Sequence, residues 1–395
     1  MIKLAFMAPI FGAEGNGKNG YLNESNIVRT TIDGVDLNEL WADFQDSTNI
    51  LNGHFASLVE MLTFPVVNQV ETVPQVGSTE FELASEYGIP RSRKVEVEYF
   101  HMGYDFNDYD ARIAYTWKFL RDADARQVEA VHTKNLEADG RLVFRKVMEA
   151  IFDNRNREAN IRNQAFNVYP MYNGDGTVPP SHKSQSFDGT HNHYLVSNGA
   201  TIDSGDIEAM YDHIAEHGYG IEQGTTFVAL MNKNQLAAVR SWRRGEANAN
   251  GAVAQYDYIP GQRRPAMFLP NAEGLLGSQA PDTWNGLVVD GSYGDILLIE
   301  EPAIPSGYVL MFGTGGAGDL QNLVGIREHA NQAYRGLRLM PGNQQNYPLI
   351  DSYYGRGFGT GIRQRAAGVI MQIKASGTYD IPNQYKAGEG FTVTG

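Results

Sequence analysis

The chain has 395 residues, 32 Lys plus Arg against 46 Asp plus Glu, a formal net charge of −14 and no cysteine. This length supports a core that folds without disulfides or structural metal ions. The lack of cysteine excludes disulfide frameworks, thiolate nucleophiles and cysteine-ligated metal centres. The acidic balance argues against a protein that wraps phosphate backbones, and no apolar window is long enough for a membrane span, so we expect a soluble protein.

Three kinds of segment follow one another in the first hundred residues. Residues 12–36 are polar and rich in glycine and asparagine, which predicts an extended arm that becomes ordered on a partner surface. From Leu37 to Leu62 apolar residues recur at helical spacing and predict two short helices that end at Pro65. Residues 66–101 then alternate polar and apolar side chains between turn signals, which predicts a hairpin or small antiparallel sheet.

The predicted hairpin carries charges of opposite sign on its two limbs. Such charges are typical of a solvated strand face, but they also fit a projecting loop that pairs with a neighbouring subunit. The second interpretation gives six candidates for inter-subunit contact, which are Glu80, Glu82 and Glu86 on one limb and Arg91, Arg93 and Lys94 on the other.

A long helix is predicted next, because no proline occurs between Pro90 and Pro170 and apolar positions recur at helical spacing over residues 108–154. At 1.5 Å per residue, this element would be up to about 65–70 Å long, with an interruption at Gly140. Residues 155–203 are rich in loop signals. A shorter amphipathic helix is predicted from Asp206 to Gly218, with Asp203 or Ser204 as its N-cap.

The remaining elements are mainly strands. We predict a buried strand at Thr225–Met231 and a helix capped by Asn232, followed by strands at Gly286–Asp290, Asp295–Glu300 and Tyr308–Phe312 and an ordered run at Ile362–Ile373. Helices and strands alternate without a regular βαβ period. The predicted fold class is therefore α+β.

Two histidine patterns could bind metal. His213, Glu216 and His217 match H-x-x-E-H, in which two histidines one helical turn apart bind zinc and the glutamate activates water. The motif marks no third ligand, and His217 lies at the predicted helix end, where an imidazole interacts favourably with the helix dipole. We therefore prefer a helix-terminal histidine pair to a zinc site.

The second pattern is the loop from Ser181 to Tyr194, which contains His182, His191 and His193. Imidazoles are common metal ligands, but no rigid element is predicted that would hold these three in place. Hydrogen-bonded loop anchors are the preferred interpretation. The sequence accordingly predicts no catalytic, cofactor-binding or metal-binding residue.

A glycine motif, G-x-G-x-x-G at residues 313–318, directly follows a predicted strand, as in dinucleotide-binding folds. The acidic ribose ligand that should follow about 20 residues later is missing, because residues 334–347 contain no acid. Too little chain follows for the repeated βαβ units of such a domain. We interpret the motif as a flexible glycine loop and predict no cofactor.

Three segments resemble one family in particular. Asp295–Leu310 has a hydrophobic strand, a turn of the form E-x-P-x-I-P-x-G and a second strand, and Ile207–Leu236 has a helix, a strand with F-V-x-x-M-N and a helix. Tyr353–Ile373 contains Phe358 and a closing I-R-x-R strand. With the order of arm, charged hairpin, long helix and α/β middle region, these segments resemble the major capsid protein of tailed bacteriophages.

The resemblance implies the phage major capsid fold and a domain scheme. The N-terminal arm would span residues 1–45 and the extended loop 66–105. The peripheral domain, with its spine helix, would comprise 46–65, 106–185 and 345–395, and the axial domain 186–344. Arm and loop would then contact neighbouring subunits.

The implied function is structural rather than enzymatic. The chain would assemble into hexamers and pentamers of an icosahedral head around double-stranded DNA, in the host cytoplasm, and would end up in the virion. Scaffolding protein, portal and decoration proteins are the implied partners, no membrane is involved, and an acidic inner wall would let packaged DNA slide.

Two alternatives and one question remain open. A nanocompartment shell has the same fold but encloses protein cargo, and a zinc hydrolase would use His213, Glu216 and His217. Some members of the capsid family lock their shell with a lysine–asparagine isopeptide bond, and Lys94 is the lysine that lies on the predicted loop. No matching asparagine is identified, so an ordinary ion-pairing role for Lys94 is preferred.

Overall fold

The computed structural model describes residues 28–53, 55–76, 88, 97–161, 164–183, 185–261, 280–341 and 349–388. These residues divide into two compact units. Unit 1 lies within Met1–Ala56, Phe106–Phe144 and Glu328–Phe358, and unit 2 lies within Ser57–Asp105, Arg145–Arg327 and Gly359–Gly395.

The helices of the described residues are α1 (Leu37–Gly53), α2 (Ser57–Leu62), α3 (Trp117–Asp122), α4 (Ala125–Phe152), α5 (Ser204–Ala215) and α6 (Lys233–Val239). The strands are β1 (Thr63–Val66), β2 (Val70–Val76), β3 (Val97–Gly103), β4 (Asn107–Thr116), β5 (Arg157–Ile161), β6 (Gln164–Val168), β7 (Tyr194–Val196), β8 (Thr226–Met231), β9 (Tyr258–Pro260), β10 (Thr283–Trp284), β11 (Leu287–Val288), β12 (Gly291–Tyr293), β13 (Ile296–Glu300), β14 (Tyr308–Thr314), β15 (Val324–Glu328), β16 (Arg338–Pro341), β17 (Leu349–Ile362) and β18 (Gly368–Gln372).

Helix α1 supplies much of the core of unit 1. Leu37, Leu40, Trp41 and Phe44 are buried along one face, as the i, i+3, i+4, i+7 spacing predicts. They pack in a cluster with Tyr115 and with residues of α3 and α4. The prediction of two helices between Leu37 and Leu62 is confirmed by α1 and α2. Helix α1 starts at Leu37, so residues 37–45 of the proposed arm are helical.

The predicted long helix over residues 108–154 is wrong in its first part. Residues 107–116 form strand β4, which pairs antiparallel with β17 from Asn107↔Phe358 to Thr116↔Leu349. Ile113 and Tyr115 are more buried than the residues on either side of them, and their spacing of two is the strand period. Strand β17 supplies the hydrogen bonds that a helix would have made internally. The Thr116 side chain then caps α3 by accepting a bond from Phe119 N.

Helix α4 is the long helix of the chain's described part and spans 28 residues, or about 42 Å at 1.5 Å per residue. Its start is fixed by a reciprocal cap, since Gln127 N donates to Asp124 Oδ1 and Asp124 N donates to Gln127 Oε1. Gly140 lies inside α4 and does not interrupt it, because a single glycine costs a helix only about 1 kcal/mol.

Unit 2 is built on a seven-stranded sheet in the order β7-β18-β14-β8-β13-β12-β9. Strand β14 is buried along its whole length and is antiparallel to both β8 and β18. Strand β8 pairs parallel with β13, and β7 pairs parallel with β18. The strands predicted near Thr225–Met231, Asp295–Glu300 and Tyr308–Phe312 are confirmed as β8, β13 and β14, and the Asn232 side chain caps α6 as predicted.

Two boundaries differ from the predictions. The run Ile362–Ile373 is interrupted by a turn in which Ala367 N donates to Gln364 O, so it contains the end of β17 and all of β18. Helix α5 starts as predicted, with Asp203 as N-cap and Asp206 completing a capping box, but it ends at Ala215 instead of Gly218. Within the described residues, no helix has the length and apolar character needed to cross a membrane.

Candidate functional site

The hairpin β2–β3 is the described part of the predicted extended loop. Its register runs from Val70↔Gly103 to Val76↔Val97, and Tyr99 is 65% exposed. The six charged candidates for inter-subunit contact, Glu80, Glu82, Glu86, Arg91, Arg93 and Lys94, lie outside the described residues.

The base of the hairpin is fastened through Asp105, which follows β3. Arg157 Nη1 donates to Asp105 Oδ2 over 2.7 Å, and Thr360 N donates to Asp105 Oδ1. The backbone of Gly359 approaches the Asp105 carbonyl oxygen so closely that a Cβ there would overlap it, so only glycine fits. The chain that leaves the hairpin is therefore held by Arg157 and by residues 359–360 of unit 2.

Two histidines of the Ser181–Tyr194 loop are fixed by backbone pairing. His193 N donates to Tyr172 O over 2.7 Å, and Ile370 N donates to His193 O over 2.9 Å. His191 is held in the same way, because Gly174 N donates to His191 O over 3.0 Å. The rigid support that the sequence did not show is the parallel pairing of β7 with β18.

The H-x-x-E-H residues do not form the predicted helical arrangement. His213 lies in the last turn of α5, but Glu216 is the C-cap residue and His217 follows it in a turn. His213 Nε2 donates to Asn192 O over 2.9 Å, whereas His217 Nε2 lies 2.9 Å from His191 Nε2 and 3.2 Å from His193 Nε2. The structure thus combines the two histidine patterns that sequence analysis treated separately.

His182 is the member of the loop pattern that stays apart from this group. Its ring covers Gly218, which has φ +90°, and a Cβ at that position would lie 2.6 Å from His182 Cε1. Its Nε2 lies 3.4 Å from Glu222 Oε2. The preferred interpretation as a loop anchor therefore describes His182.

Burial lowers the basicity of the histidine group. Desolvation lowers the pKa of His191 to about 4 and that of His217 to about 3, and neighbouring histidines add to both shifts. Burial also lowers the pKa of His193 and of His213. All four imidazoles are neutral at pH 7, which leaves a nitrogen lone pair on each ring.

Aromatic rings and one arginine form the wall beside the histidines. Phe187 stacks on His217 with ring centroids 4.2 Å apart, and Tyr172 stacks on His217 from 6.3 Å. Arg365 lies over the Tyr172 ring at 4.3 Å and donates to Asp175 Oδ2. These residues, with the exception of Asp175, line a groove of about 830 Å³ in unit 2.

The glycine motif forms a closed turn rather than a phosphate-binding loop. Thr314 Oγ1 donates to Asn322 Oδ1 over 2.7 Å, and Asn322 Nδ2 donates to Gly316 O over 2.8 Å. The next element is strand β15, so no helix N-terminus is available to hold a dinucleotide. This agrees with the interpretation of a glycine loop, although its internal bonds make it ordered.

Comparison with solved structures identifies a close relative. A chain from Mycobacterium phage Patience is 55% identical, with 92% of this chain and 96% of that chain covered and a TM-score of 0.77. The mature capsid of bacteriophage PhiM1 is 10% identical over 82% of this chain and 89% of that chain, with a TM-score of 0.46. The holo-SrpI encapsulin complex from Synechococcus elongatus PCC 7942 is 11% identical with the same coverage and a TM-score of 0.43.

No family model matches the chain, and no curated protein matches it. The assignment is carried by the identity to the Mycobacterium phage Patience chain over almost the full length of both proteins. The α+β architecture is that of a phage capsid shell. The chain belongs to the major capsid protein family of tailed bacteriophages.

Proposed function

We propose that this chain is the structural subunit of a phage head, which self-assembles into hexamers and pentamers and encloses double-stranded DNA. The observation that carries the proposal is the 55% identity over 92% of the chain to a Mycobacterium phage Patience chain. In the proposed domain scheme, 1–45 is the arm, 66–105 the extended loop, 186–344 the axial domain, and the other residues the peripheral domain.

The hairpin β2–β3 supports a role in assembly. Among the described residues, these two strands form a sheet of their own, which packs on unit 2 through Phe100 and Tyr169, and a two-stranded ribbon needs such packing to be stable in water. Tyr99 and Val73 on the ribbon are exposed. A neighbouring subunit packed against the ribbon would bury this apolar surface and stabilise it.

The charge of the chain fits a container for DNA. With a formal net charge of −14, a wall made of many copies repels the phosphate backbone on average. Packaged DNA is therefore held by confinement, and it leaves the head without having to dissociate from the wall. Scaffolding protein, portal and decoration proteins are the proposed partners. The proposed location is the virion capsid, after assembly in the host cytoplasm.

The proposed role is non-enzymatic. The hydrolase alternative needs His213 and His217 one turn apart on a single helix, but α5 ends at Ala215. Glu216 lies 3.5 Å from His213 Nδ1 and 3.9 Å from His217 Nε2, among the side chains that would be its zinc ligands.

Electron microscopy of the purified full-length chain, expressed with and without its scaffolding partner, tests the proposal. We expect closed shells, or rings of six and clusters of five, and nuclease-protected DNA in particles from infected cells. Shells filled with protein cargo and free of DNA would instead support a nanocompartment. A chain that stays monomeric at high concentration under all these conditions would overturn the proposal.

The loop candidates can be tested in the same assay. Reversing the charge of Glu80, Glu82 and Glu86 together to Lys should prevent or strongly reduce shell formation, because like charges placed across an interface are repulsive. The matched control changes the same three residues to Gln, which removes charge without reversing it and should weaken assembly less. Equal assembly by the parent and the Lys variant would exclude these residues from the interface.

A further inference from the structure

Three imidazole nitrogens converge in unit 2. His191 Nε2 lies 3.1 Å from His193 Nε2 and 2.9 Å from His217 Nε2, and the latter two are 3.2 Å apart. The point equidistant from all three lies about 1.8 Å from each. An ion about 1 Å above their plane would therefore be at the 2.0–2.1 Å of a zinc–imidazole bond.

No arrangement of protons satisfies these three contacts. His193 Nδ1 lies 2.7 Å from Gly368 O, and a carbonyl only accepts, so Nδ1 carries the hydrogen and neutral His193 presents a lone pair at Nε2. If only one of His191 Nε2 and His217 Nε2 carries a hydrogen, the contact between the other two nitrogens of the triangle still joins two lone pairs. If both carry one, two N–H groups face each other. Each protonation state leaves a repulsive contact, which a cation shared by three lone pairs removes.

A carboxylate lies beside the triangle. Glu216 Oε1 is 3.6 Å from His191 Nε2 and 3.9 Å from His217 Nε2. It is also 3.5 Å from His213 Nδ1, which has a lone pair because His213 Nε2 donates to Asn192 O. Glu216 and His213 thus lie next to His191 at the side of the triangle, and the partial exposure of Glu216 leaves a route to solvent.

We propose that His191, His193 and His217 bind a divalent transition-metal ion, with zinc as the preferred metal and the Glu216 carboxylate beside the site. Three imidazoles form a donor set suited to tetrahedral zinc with a water molecule in the fourth position, whereas magnesium and calcium prefer sites made wholly of oxygen. The bond from His193 Nδ1 to Gly368 O is the outer-shell contact that orients a metal-ligating imidazole. The burial of His193, at 0% exposure, means that its Nε2 has no access to bulk water as an alternative partner.

The metal would connect two parts of unit 2 that are distant in sequence. His191 and His193 precede β7, and His217 follows α5, so a shared ion joins the loop to the end of the helix. This inference concerns the isolated chain and stays testable whether or not the proposed shell assembles.

The test uses untagged full-length protein, as capsomers or shells, that is stripped with a chelator and dialysed. We expect one zinc ion per chain after addition of zinc, a melting temperature that rises with zinc concentration, and strong visible absorption typical of tetrahedral cobalt when Co²⁺ is added instead. A melting temperature unaffected by zinc, or a Co²⁺ spectrum of the weak octahedral type, would overturn the proposal.

Variants locate the ion. His193→Gln should reduce zinc affinity by at least the roughly 10–100-fold that loss of an outer-shell partner costs, and Glu216→Gln, which leaves the three histidines in place, should still bind one zinc ion per chain. His101→Gln, an exposed histidine on the hairpin, is the matched control and should bind like the parent. Circular dichroism shows whether His193→Gln is folded, and the Co²⁺ spectrum of the parent protein tests the site without any substitution. Unchanged zinc binding in folded His193→Gln would contradict the proposal.

Discussion

The two units stabilise buried arginine in different ways. In unit 1, Arg356 Nε lies 2.7 Å from Asp139 Oδ1, with 4% and 6% of the two side chains exposed. In unit 2, Arg365 donates to Pro170 O, Thr177 Oγ1 and Asp175 Oδ2 and lies over the Tyr172 ring. Besides its carboxylate, Arg356 has one neutral acceptor, since its Nη2 donates to Asn52 Oδ1 over 3.2 Å, whereas Arg365 has two, the Pro170 carbonyl and the Thr177 hydroxyl.

The difference shows where each unit is vulnerable. A buried ion pair is costly to desolvate, and removing one member leaves the other charge unpaired. A guanidinium held by several neutral and charged acceptors loses only part of its stabilisation when one contact is removed. We therefore expect the largest single-residue effects in unit 1.

The largest effect is expected for Asp139→Ala. Burial raises the pKa of Asp139 and Arg356 opposes that shift, and without the carboxylate the Arg356 charge stays buried. We expect a loss of about 3–5 kcal/mol in the free energy of unfolding, measured by denaturant titration followed through tryptophan fluorescence. The double variant Asp139→Leu with Arg356→Met should recover most of this loss. A loss below about 1 kcal/mol in the single variant would show that solvent reaches the pair.

The next largest effect is a pH dependence in unit 1. His132 is buried, bonds Ser47 Oγ and the Tyr354 hydroxyl through its two ring nitrogens, and stacks on Phe44. Desolvation lowers its pKa to about 4, so below about pH 6.5 the unfolded chain binds a proton that the folded chain does not. Stability should fall as the pH drops from 6.5 to 4, by about 3 kcal/mol in total.

The control for this prediction is His132→Gln, which cannot titrate. The stability difference between parent and variant should shrink on acidification by nearly the whole of that amount, as seen in denaturant titrations at pH 7 and pH 4. An equal stability difference at the two pH values would mean that folding does not lower the pKa of His132.

A smaller effect is expected for Arg365→Lys in unit 2. An ammonium group keeps the charge but loses the planar fork that reaches three acceptors at once. Burial tends to raise the pKa of Asp175, but bonds from Thr177 and Arg365 outweigh it and lower that pKa. We expect a loss of about 2 kcal/mol, measured by the same titration. A loss as large as that of Asp139→Ala would remove the contrast between the two units.

The smallest effect is expected at the start of α5. Asp203 Oδ1 accepts from Asp206 N and Asp206 Oδ2 accepts from Asp203 N, each over 3.0 Å. Asp203→Ala should cost about 1 kcal/mol, seen as a small fall in melting temperature. Asp212→Ala, at an exposed aspartate of the same helix, is the control and should change stability much less. Equal effects would show that the cap does not stabilise α5.

Local patterns predicted the sheet of unit 2 better than the layout of unit 1. Strands β8 and β14 are short and mostly apolar runs between turn residues, and Asp203 and Asn232 cap their helices by contacts with residues close in sequence. Strand β4 was predicted as helix because its pairing partner, β17, lies more than 200 residues away and is invisible to local periodicity.

The histidine cluster shows the same limit at the level of a site. Both patterns were recognised in the sequence, but each lacked ligands when considered alone. They meet because β7 pairs with β18 and because α5 packs against the sheet, with Ile214 and Met210 in the same core as Val369. Contacts of this kind depend on tertiary structure, so the spacing of His191, His193 and His217 gave no signal that they converge.

Native mass spectrometry of the purified chain tests the central claim of a shell-forming subunit most directly. The subunit mass is 43.7 kDa, and the account predicts species at five and six times that mass, together with larger closed particles when the scaffolding partner is present. A single species at the subunit mass, unchanged by concentration or by the scaffolding partner, would contradict the account.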